Sequence, residues 1–67
     1  MDLLEFKKKY KSGRFNGVAR RSGTTPDYLK QIAYGYRKPS GVLARRIEKA
    51  TEGMITREEL RPDIFLD

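Results

Sequence analysis

The sequence predicts an all-α fold, a compact bundle of about five short helices. Apolar residues recur at the three- and four-residue spacing of a helix, and no segment shows the sustained alternation of apolar and polar residues that a strand requires. Capping residues and glycines divide the chain into short helical segments. With 67 residues, the chain has the length of one domain, 1–67, and a domain of this size needs a compact core.

The first two predicted helices lie in the first third of the chain. Asp2 and Glu5 have the spacing of a capping box, so a helix is expected over 3–11, where Ser12-Gly13 ends it. A shorter second helix is expected over about 15–22. The residues of these two helices that we expect in the core are Leu3, Phe6, Tyr10, Phe15, Val18 and Ala19.

Three further helices are predicted from their start signals. Thr24-Thr25-Pro26-Asp27 joins a threonine cap, a proline in the first turn and a carboxylate near the positive helix end, which starts a third helix over 25–35. Ser40 caps a fourth helix that lasts until about residue 51. Thr56-Arg57-Glu58-Glu59 opens a short last helix, 56–65, which Pro62 ends or bends. The residues expected to face inward are Leu29, Ile32, Ala33, Tyr36, Val42 or Leu43, Ile47, Ala50, Leu60, Ile64 and Phe65.

The composition argues against an enzyme and against a metalloprotein. The chain has no cysteine and no histidine, which removes disulfides, thiolate and imidazole metal ligands, and the usual Ser-His or Cys-His catalytic pairs. We therefore expect no metal, no cofactor and no enzymatic activity. No apolar run approaches the roughly 20 residues that span a bilayer, and no apolar signal segment follows Met1. A cytoplasmic protein without a membrane partner is expected.

Positive charge is concentrated in the first three quarters of the chain. Residues 1–49 hold thirteen basic and four acidic side chains, a net charge of +9, whereas residues 50–67 hold two basic and five acidic ones, a net charge of −3. This asymmetry favours a polyanionic partner that contacts only the basic part. A solvated basic surface would carry the same charges, so composition alone does not decide between the two.

Segment 15–35 has the most specific pattern in the chain, that of a helix-turn-helix. Such a motif needs a small residue where its helices cross, a glycine with positive φ in the turn, and apolar residues that pack the second helix back. Ala19, Gly23, Leu29 and Ile32 occupy these positions. Ser22 departs from the pattern, because an apolar residue more often precedes the turn glycine. The pattern predicts that the third helix enters the major groove of double-stranded DNA.

The outer face of the third helix is expected to read bases. At about 100° per residue, Asp27, Lys30, Gln31 and Tyr34 share the side opposite the apolar residues. Gln31 has the amide that suits adenine, Lys30 can donate to guanine, and Asp27 can accept from cytosine. Asp27 would equally stabilise the helix start. Thr25 also has two roles open to it, a contact with thymine or phosphate and the helix cap, and Tyr34 would stack on a sugar or bind a phosphate.

Groups suited to phosphate binding flank this face. They are Asn16 at the start of the second helix, and Arg37, Lys38 and Ser40 in and after the loop that follows the third helix. Gly17 and Gly41 are expected to leave backbone N–H groups open to a phosphate. Positions late in the second helix are weaker candidates, and a solvated helix face is favoured for the lysines of the first helix. The weaker candidates are Arg20 and Arg21, and the lysines of the first helix are Lys7, Lys8, Lys9 and Lys11.

Several stretches resemble the Cro/CI-type helix-turn-helix repressors of phages and prophages. They are Val18-Ala19 to Gly23, Tyr28-Leu29-Lys30-Gln31-Ile32, and Gly35-Tyr36-Arg37-Lys38-Pro39-Ser40. The stretch 47–53, followed by 55–65 with its Leu60-Arg61-Pro62-Asp63, is similar to the YdaS-like branch, which contains Cro-like regulators and proteins named as putative antitoxins. The resemblance covers about residues 13–65.

The resemblance implies a lambda repressor-like DNA-binding domain of a bacterial or phage-infected cell. Such a protein often acts as a dimer that represses or tunes a small phage-type operon. Position by position, it carries the base-reading role over to Thr25, Asp27, Lys30, Gln31 and Tyr34.

Two classes of function remain open from the sequence. The first is a sequence-specific repressor that binds a palindromic operator as a homodimer. The second is an antitoxin-type interaction module whose acidic tail and Ile64-Phe65 bind a toxin-like partner protein, and which autoregulates its operon. An inverted repeat in the promoter would favour the first class, and a neighbouring gene for a toxin-like protein the second. RNA binding is a weaker alternative, because the chain lacks the aromatic sheet surface or glycine-rich clamp that reads single strands.

Overall fold

Six helices follow one another in the computed structural model, which describes residues 1–65. They are α1 (Leu3–Lys9), α2 (Ser12–Arg21), α3 (Pro26–Ala33), α4 (Gly41–Ala50), α5 (Arg57–Leu60) and α6 (Pro62–Phe65). No strand occurs in this range, which confirms the predicted all-α class. The last predicted helix is divided in two, since Pro62 ends one helix and starts another. None of the helices of residues 1–65 is long and apolar enough to cross a membrane.

Side-chain caps start four of these helices at the predicted residues. Asp2, Thr25 and Ser40 each accept a hydrogen bond from the backbone N–H three residues further on, at 2.8, 3.1 and 3.1 Å. Thr56 and Glu59 form a complete capping box, in which each side chain accepts from the backbone N–H of the other, at 3.2 and 3.0 Å. These bonds satisfy donors that a helix start leaves without an intrahelical partner. The local sequence therefore fixes where these helices begin.

The boundary between the first two helices differs from the prediction. α1 ends at Lys9, the backbone of Tyr10 is extended (φ −108°, ψ 156°), and α2 already begins at Ser12. The expectation that Ser12-Gly13 ends the first helix is wrong, because both residues lie in the first turn of α2. The Tyr10 ring packs 4.7 Å from the ring of Phe6, and this contact holds the early turn of the chain against the core.

The core joins side chains from both ends of the chain. Phe6, Leu29, Ile47 and Ile55 are fully buried. Ile55, in the segment between α4 and α5, was not expected from the sequence because it belongs to no helical pattern. The buried cluster consists of Leu3, Phe6, Phe15, Val18, Ala19, Leu29, Ile32, Ile47 and Ile55.

Three apolar residues expected inside are exposed, namely Tyr36, Val42 and Ile64, of which Ile64 in the four-residue helix α6 is 49% exposed. Tyr36 is 81% exposed, because α3 ends at Ala33 and Gly35, with φ +82°, reverses the chain before the helical pitch reaches Tyr36. Val42 is 61% exposed, since Ala44 forms the buried side of α4 together with Ile47. Of the two alternatives predicted at this point, Leu43 is the residue that packs partly against the core.

Candidate nucleic-acid interface

A tight turn joins α2 and α3 into a helix-turn-helix. Gly23 has a φ of +80°, and the N–H of Thr24 donates to the carbonyl of Ala19 at 2.9 Å, which closes the end of α2. Ala19 and Leu29 are fully buried, and Ile32 is nearly so. The positive φ explains the glycine, because side chains bearing a Cβ rarely adopt this conformation. The small, turn and packing residues of the motif are therefore confirmed in their predicted positions.

Ser22, the residue that departs from the motif, lies inside the core. Its side chain is fully buried, and within residues 1–65 its Oγ has no hydrogen-bond partner. A buried hydroxyl without a partner loses its bonds to water and gains nothing in return. This environment explains why the motif favours an apolar residue here.

The outer face of α3 presents most of the predicted base-reading residues to solvent. Asp27 and Lys30 are exposed on the helix, and Tyr34, which follows the last helical residue, is 46% exposed. Thr25 is also exposed, but its Oγ1 accepts the N–H of Tyr28 and so serves as the helix cap. The capping role left open for Thr25 is thus the one observed.

Gln31 differs from its neighbours on this face because it is half-buried. Its Oε1 accepts a hydrogen bond from Nε of Arg37, and the Arg37 guanidinium lies 5.8 Å from the centre of the Tyr28 ring. The structure therefore joins a predicted base reader to a predicted phosphate ligand. Sequence spacing did not reveal this pair, since Arg37 lies beyond the chain reversal at Gly35.

The other predicted phosphate ligands belong to α2 and to the loop between α3 and α4. Asn16 lines a shallow cleft together with Asp27 and Lys30. Lys38 is exposed in the loop between α3 and α4 (residues 34–40, hereafter the α3–α4 loop), and Ser40 ends this loop as the cap of α4. Asn16 is therefore close to the outer face of α3, whereas Lys38 and Ser40 follow the end of α3 in the chain.

The two glycines expected to leave helix starts open have different surroundings. A Cβ added to Gly17 would meet no atom within 4 Å. At Gly41 it would lie 3.6 Å from the Phe65 ring and 3.9 Å from Ile64 Cδ1. The side of Gly41 that a Cβ would occupy therefore faces α6, whereas that of Gly17 is open.

Lys7, which was expected on a solvated helix face, is a neighbour of this face of α3. It is half-buried, and its Nζ lies 5.7 Å from the centre of the Tyr34 ring and 5.9 Å from that of Phe15. Lys7 follows the buried Leu3 by four residues, a spacing that puts both on the same side of α1. This spacing was the signal in the sequence that the side chain of Lys7 lies next to the core. Lys8, Lys9 and Lys11 are exposed, as expected for a solvated helix face.

Arg20 and Arg21 lie next to the end of α4. They line a cleft with Ala50, Thr51 and Glu52, away from the residues lining the Asn16 cleft. Their weaker role in DNA binding stays a prediction.

Comparison with known proteins identifies the family. Residues 11–67 match the model of a family described as bacterial toxin YdaS. The chain is also 48% identical over 48 residues to a protein of Escherichia coli (strain K12) named prophage transcriptional regulatory protein. The aligned residues make up 72% of this chain and 73% of that protein. The family description mentions a toxin, whereas the name of the relative is that of a regulator. The family match includes the helix-turn-helix and all the helices from α2 onward, and the chain belongs to the YdaS family.

Proposed function

We propose that this protein is a sequence-specific double-stranded DNA-binding repressor of a phage or prophage operon, and that α3 lies in the major groove of its operator. The observation that carries the proposal is the exposed outer face of α3, where Asp27 and Lys30 are open to solvent and line a cleft together with Asn16. A helix that follows the turn of a helix-turn-helix is the one that reaches base edges in this class of protein. The name of the Escherichia coli relative supports a role in transcription.

Base reading is assigned to Lys30 and Gln31, with Asp27 and Tyr34 beside them. An amide oxygen has two lone pairs, so Gln31 Oε1 can keep its bond to Arg37 and still accept from the amino group of adenine, while its amide nitrogen donates to the ring. The Lys30 ammonium donates to the two acceptors of guanine. In this proposal Arg37 orients the Gln31 amide before DNA arrives.

Phosphate binding is assigned to Asn16, Lys38 and Ser40, with a contribution from Arg37. Ser40 uses an oxygen lone pair for its cap, which leaves its hydroxyl hydrogen to donate to a phosphate oxygen. Thr25 has the same capacity. These contacts set the register of the protein on the duplex without reading its sequence.

A homodimer on a palindromic operator is the assembly that we propose. Val42 is 61% and Ile64 is 49% exposed, and a Cβ built on Gly41, the residue before Val42, would lie 3.9 Å from Ile64 Cδ1. Burying these apolar side chains against a second copy would remove them from water. In the antitoxin-type alternative, the same apolar residues contact a toxin-like partner protein. Without that partner, this chain would then bind its operator as a monomer.

Selection of bound sequences from random duplex DNA at a stated salt concentration tests the proposal. A palindromic consensus is expected for the parent chain. The Lys30→Ala, Gln31→Ala double variant should lose this preference and keep its affinity for random DNA, because each good base contact contributes about 1–3 kcal/mol of discrimination. Lys49→Ala is the matched control, since it removes the same charge from an exposed site at the end of α4. An unchanged consensus for the double variant would show that α3 is not the reader.

A further inference from the structure

Leu60-Arg61-Pro62-Asp63 joins α5 to α6, and the proposed DNA interface does not account for it. The structure gives Arg61 three bonds. Its Nη1 donates to the carbonyl oxygen of Pro39 at 2.8 Å, across 22 residues of sequence. Its Nε and Nη2 donate to the two carboxylate oxygens of Asp63 at 2.9 and 2.7 Å. One guanidinium therefore connects the C-terminal helices to the α3–α4 loop.

The geometry of this connection is well suited to hold the loop in one conformation. The Arg61 side chain is 19% exposed, and Pro39 is fully buried. Paired, charge-assisted bonds from arginine to carboxylate fix the plane of the guanidinium, which in turn fixes the direction of the third donor. The bonds from Arg61, and to a smaller extent the charge of Lys38, lower the pKa of Asp63 to about 2. Asp63 is therefore ionised at neutral pH.

The residue that accepts this bond lies between the proposed phosphate ligands. Lys38 precedes Pro39, and Ser40 follows it as the cap of α4. Among the ion pairs of residues 1–65, none includes Lys38, so its ammonium is available to an external anion. A loop that is ordered before binding loses less conformational entropy when the complex forms.

We propose that Arg61 is a positioning residue for DNA binding, which holds the carbonyl of Pro39 so that Lys38 and Ser40 meet the phosphates in a fixed register. The inference rests on the proposed function. It assigns the Arg61-Pro62-Asp63 sequence to the preparation of the binding surface, and it gives Arg61 no contact with DNA, because its guanidinium is already engaged by Pro39 and Asp63.

The substitution Arg61→Lys separates geometry from charge. Lysine keeps the positive charge, but its single ammonium cannot replace a planar fork that binds a carboxylate with two donors and a carbonyl with a third. We expect Arg61→Lys to weaken operator binding about tenfold, because a less ordered loop loses more conformational entropy when the complex forms. The salt dependence should be unchanged, since Lys38 still reaches its phosphate in the complex. Arg57→Lys is the matched control, because Arg57 pairs with Glu48 and Glu58 and not with the loop. The Arg57→Lys variant should bind DNA as the parent does. Equal affinity of the Arg61→Lys variant and the parent would overturn the proposal.

A double-mutant cycle with Lys38→Ala distinguishes positioning from a general loss of structure. If Arg61 acts through the loop, Arg61→Lys should cost much less affinity in a chain that already lacks Lys38, because the contact it prepares is gone. An equal cost in both backgrounds would contradict the proposal. Asp63→Glu, which keeps the charge and moves the carboxylate by one methylene, provides a second variant and should weaken binding in the same way.

Backbone amide order of residues 37–40, measured by NMR on the DNA-free protein, tests the contact without DNA. Arg61→Lys is expected to lower the order of these amides, and Arg57→Lys to leave them unchanged. Suppose that the parent chain selects no DNA sequence but the loop becomes less ordered in the Arg61→Lys variant. The proposed function would then be refuted, and the contact between Arg61 and the loop would still be supported. A parent that selects an operator, with a loop and an affinity that do not respond to Arg61→Lys, would refute only the positioning role.

Discussion

At the scale of single residues, Arg37 and Lys38 are neighbours with different surroundings. Arg37 donates to Gln31 and lies over the Tyr28 ring, whereas Lys38 is exposed in the α3–α4 loop. Arg37 is therefore connected to a residue that we propose reads bases. Lys38 has only its charge to offer a phosphate. The two residues should contribute differently to affinity and to sequence preference.

Lys38→Ala should weaken binding to operator and to random DNA by about the same factor. It should also reduce the slope of log affinity against log salt by about 0.9, because one fewer counterion-displacing contact forms. Arg37→Ala should in addition reduce preference for the operator, since Gln31 loses the donor that orients it. Fluorescence anisotropy titrations at several salt concentrations measure both effects. A change of preference with Lys38→Ala and none with Arg37→Ala would contradict this division of roles.

Two buried hydroxyl groups in the core have opposite surroundings. Thr51 Oγ1 donates to the carbonyl of Ile47 at 2.9 Å and accepts from the N–H of Ile55 at 3.2 Å. Ser22 Oγ has no partner within residues 1–65. A buried polar atom destabilises a fold when it is unpaired, and removal of a paired one leaves its partner unsatisfied.

Ser22→Ala should therefore stabilise the protein and Thr51→Val should destabilise it, although both delete one buried hydroxyl. We expect a gain of about 1 kcal/mol for the first and a loss of about 1–3 kcal/mol for the second. In a domain of this size, 1 kcal/mol corresponds to a change of about 4–8 °C in Tm. Thermal unfolding followed by circular dichroism compares the two. A lower Tm for Ser22→Ala would show that its hydroxyl is hydrogen-bonded after all.

At the scale of helices and segments, the C-terminal part of the chain completes the core. Ile55 is fully buried, and Leu60 packs against the core while remaining half-buried. The capping box of Thr56 and Glu59 sets the start of α5 between them. The segment is therefore packed on the body despite its negative charge.

Ile55→Ala should cost about 2–5 kcal/mol, as expected for a buried aliphatic side chain that leaves a cavity. Leu60→Ala should cost less, about 1–2 kcal/mol, because part of its surface is in contact with water before the substitution. Urea unfolding of both variants and the parent gives the two values. A larger loss for Leu60→Ala than for Ile55→Ala would show that the C-terminal segment is buried more deeply, for example by a second chain.

At the scale of the whole molecule, positive and negative charge are concentrated in different parts of the chain. Thirteen of the fifteen basic residues belong to residues 1–49, and α3 with its loop lies in this range. The half-exposed Ile64 belongs to the acidic part, in α6. Carboxylates near phosphates would be repelled, so the acidic part is suited to contact another protein chain.

Ile64→Asp should abolish cooperative binding to the two halves of the operator without unfolding the monomer, because it introduces a charge where we propose that two copies meet. Ile64→Asn is the control for charge and should weaken dimerisation less. Sedimentation of the free and DNA-bound protein, with thermal unfolding in parallel, measures assembly and stability separately. If the parent binds its operator as a monomer and both variants do the same, this surface is available to a different partner.

Local signals in the sequence were sufficient for most helix starts and for the outer face of α3. A cap and the N–H that it accepts are three residues apart, as at Thr25 and Ser40, so their bond depends little on the rest of the chain. The side on which Asp27 and Lys30 lie follows from helical pitch alone. The turn glycine at 23 was predictable for the same reason, since its positive φ is a local requirement.

The packing of distant segments decided the rest. Tyr36 would face inward if α3 continued to it, but Gly35 reverses the chain first and Tyr36 is exposed. Ile55 is buried without any helical pattern, and the bonds of Arg61 to Pro39 and of Arg37 to Gln31 each require a chain reversal. Such contacts depend on how whole helices are oriented against one another, which many weak packing terms determine together. Short-range spacing in the sequence contains no record of that orientation.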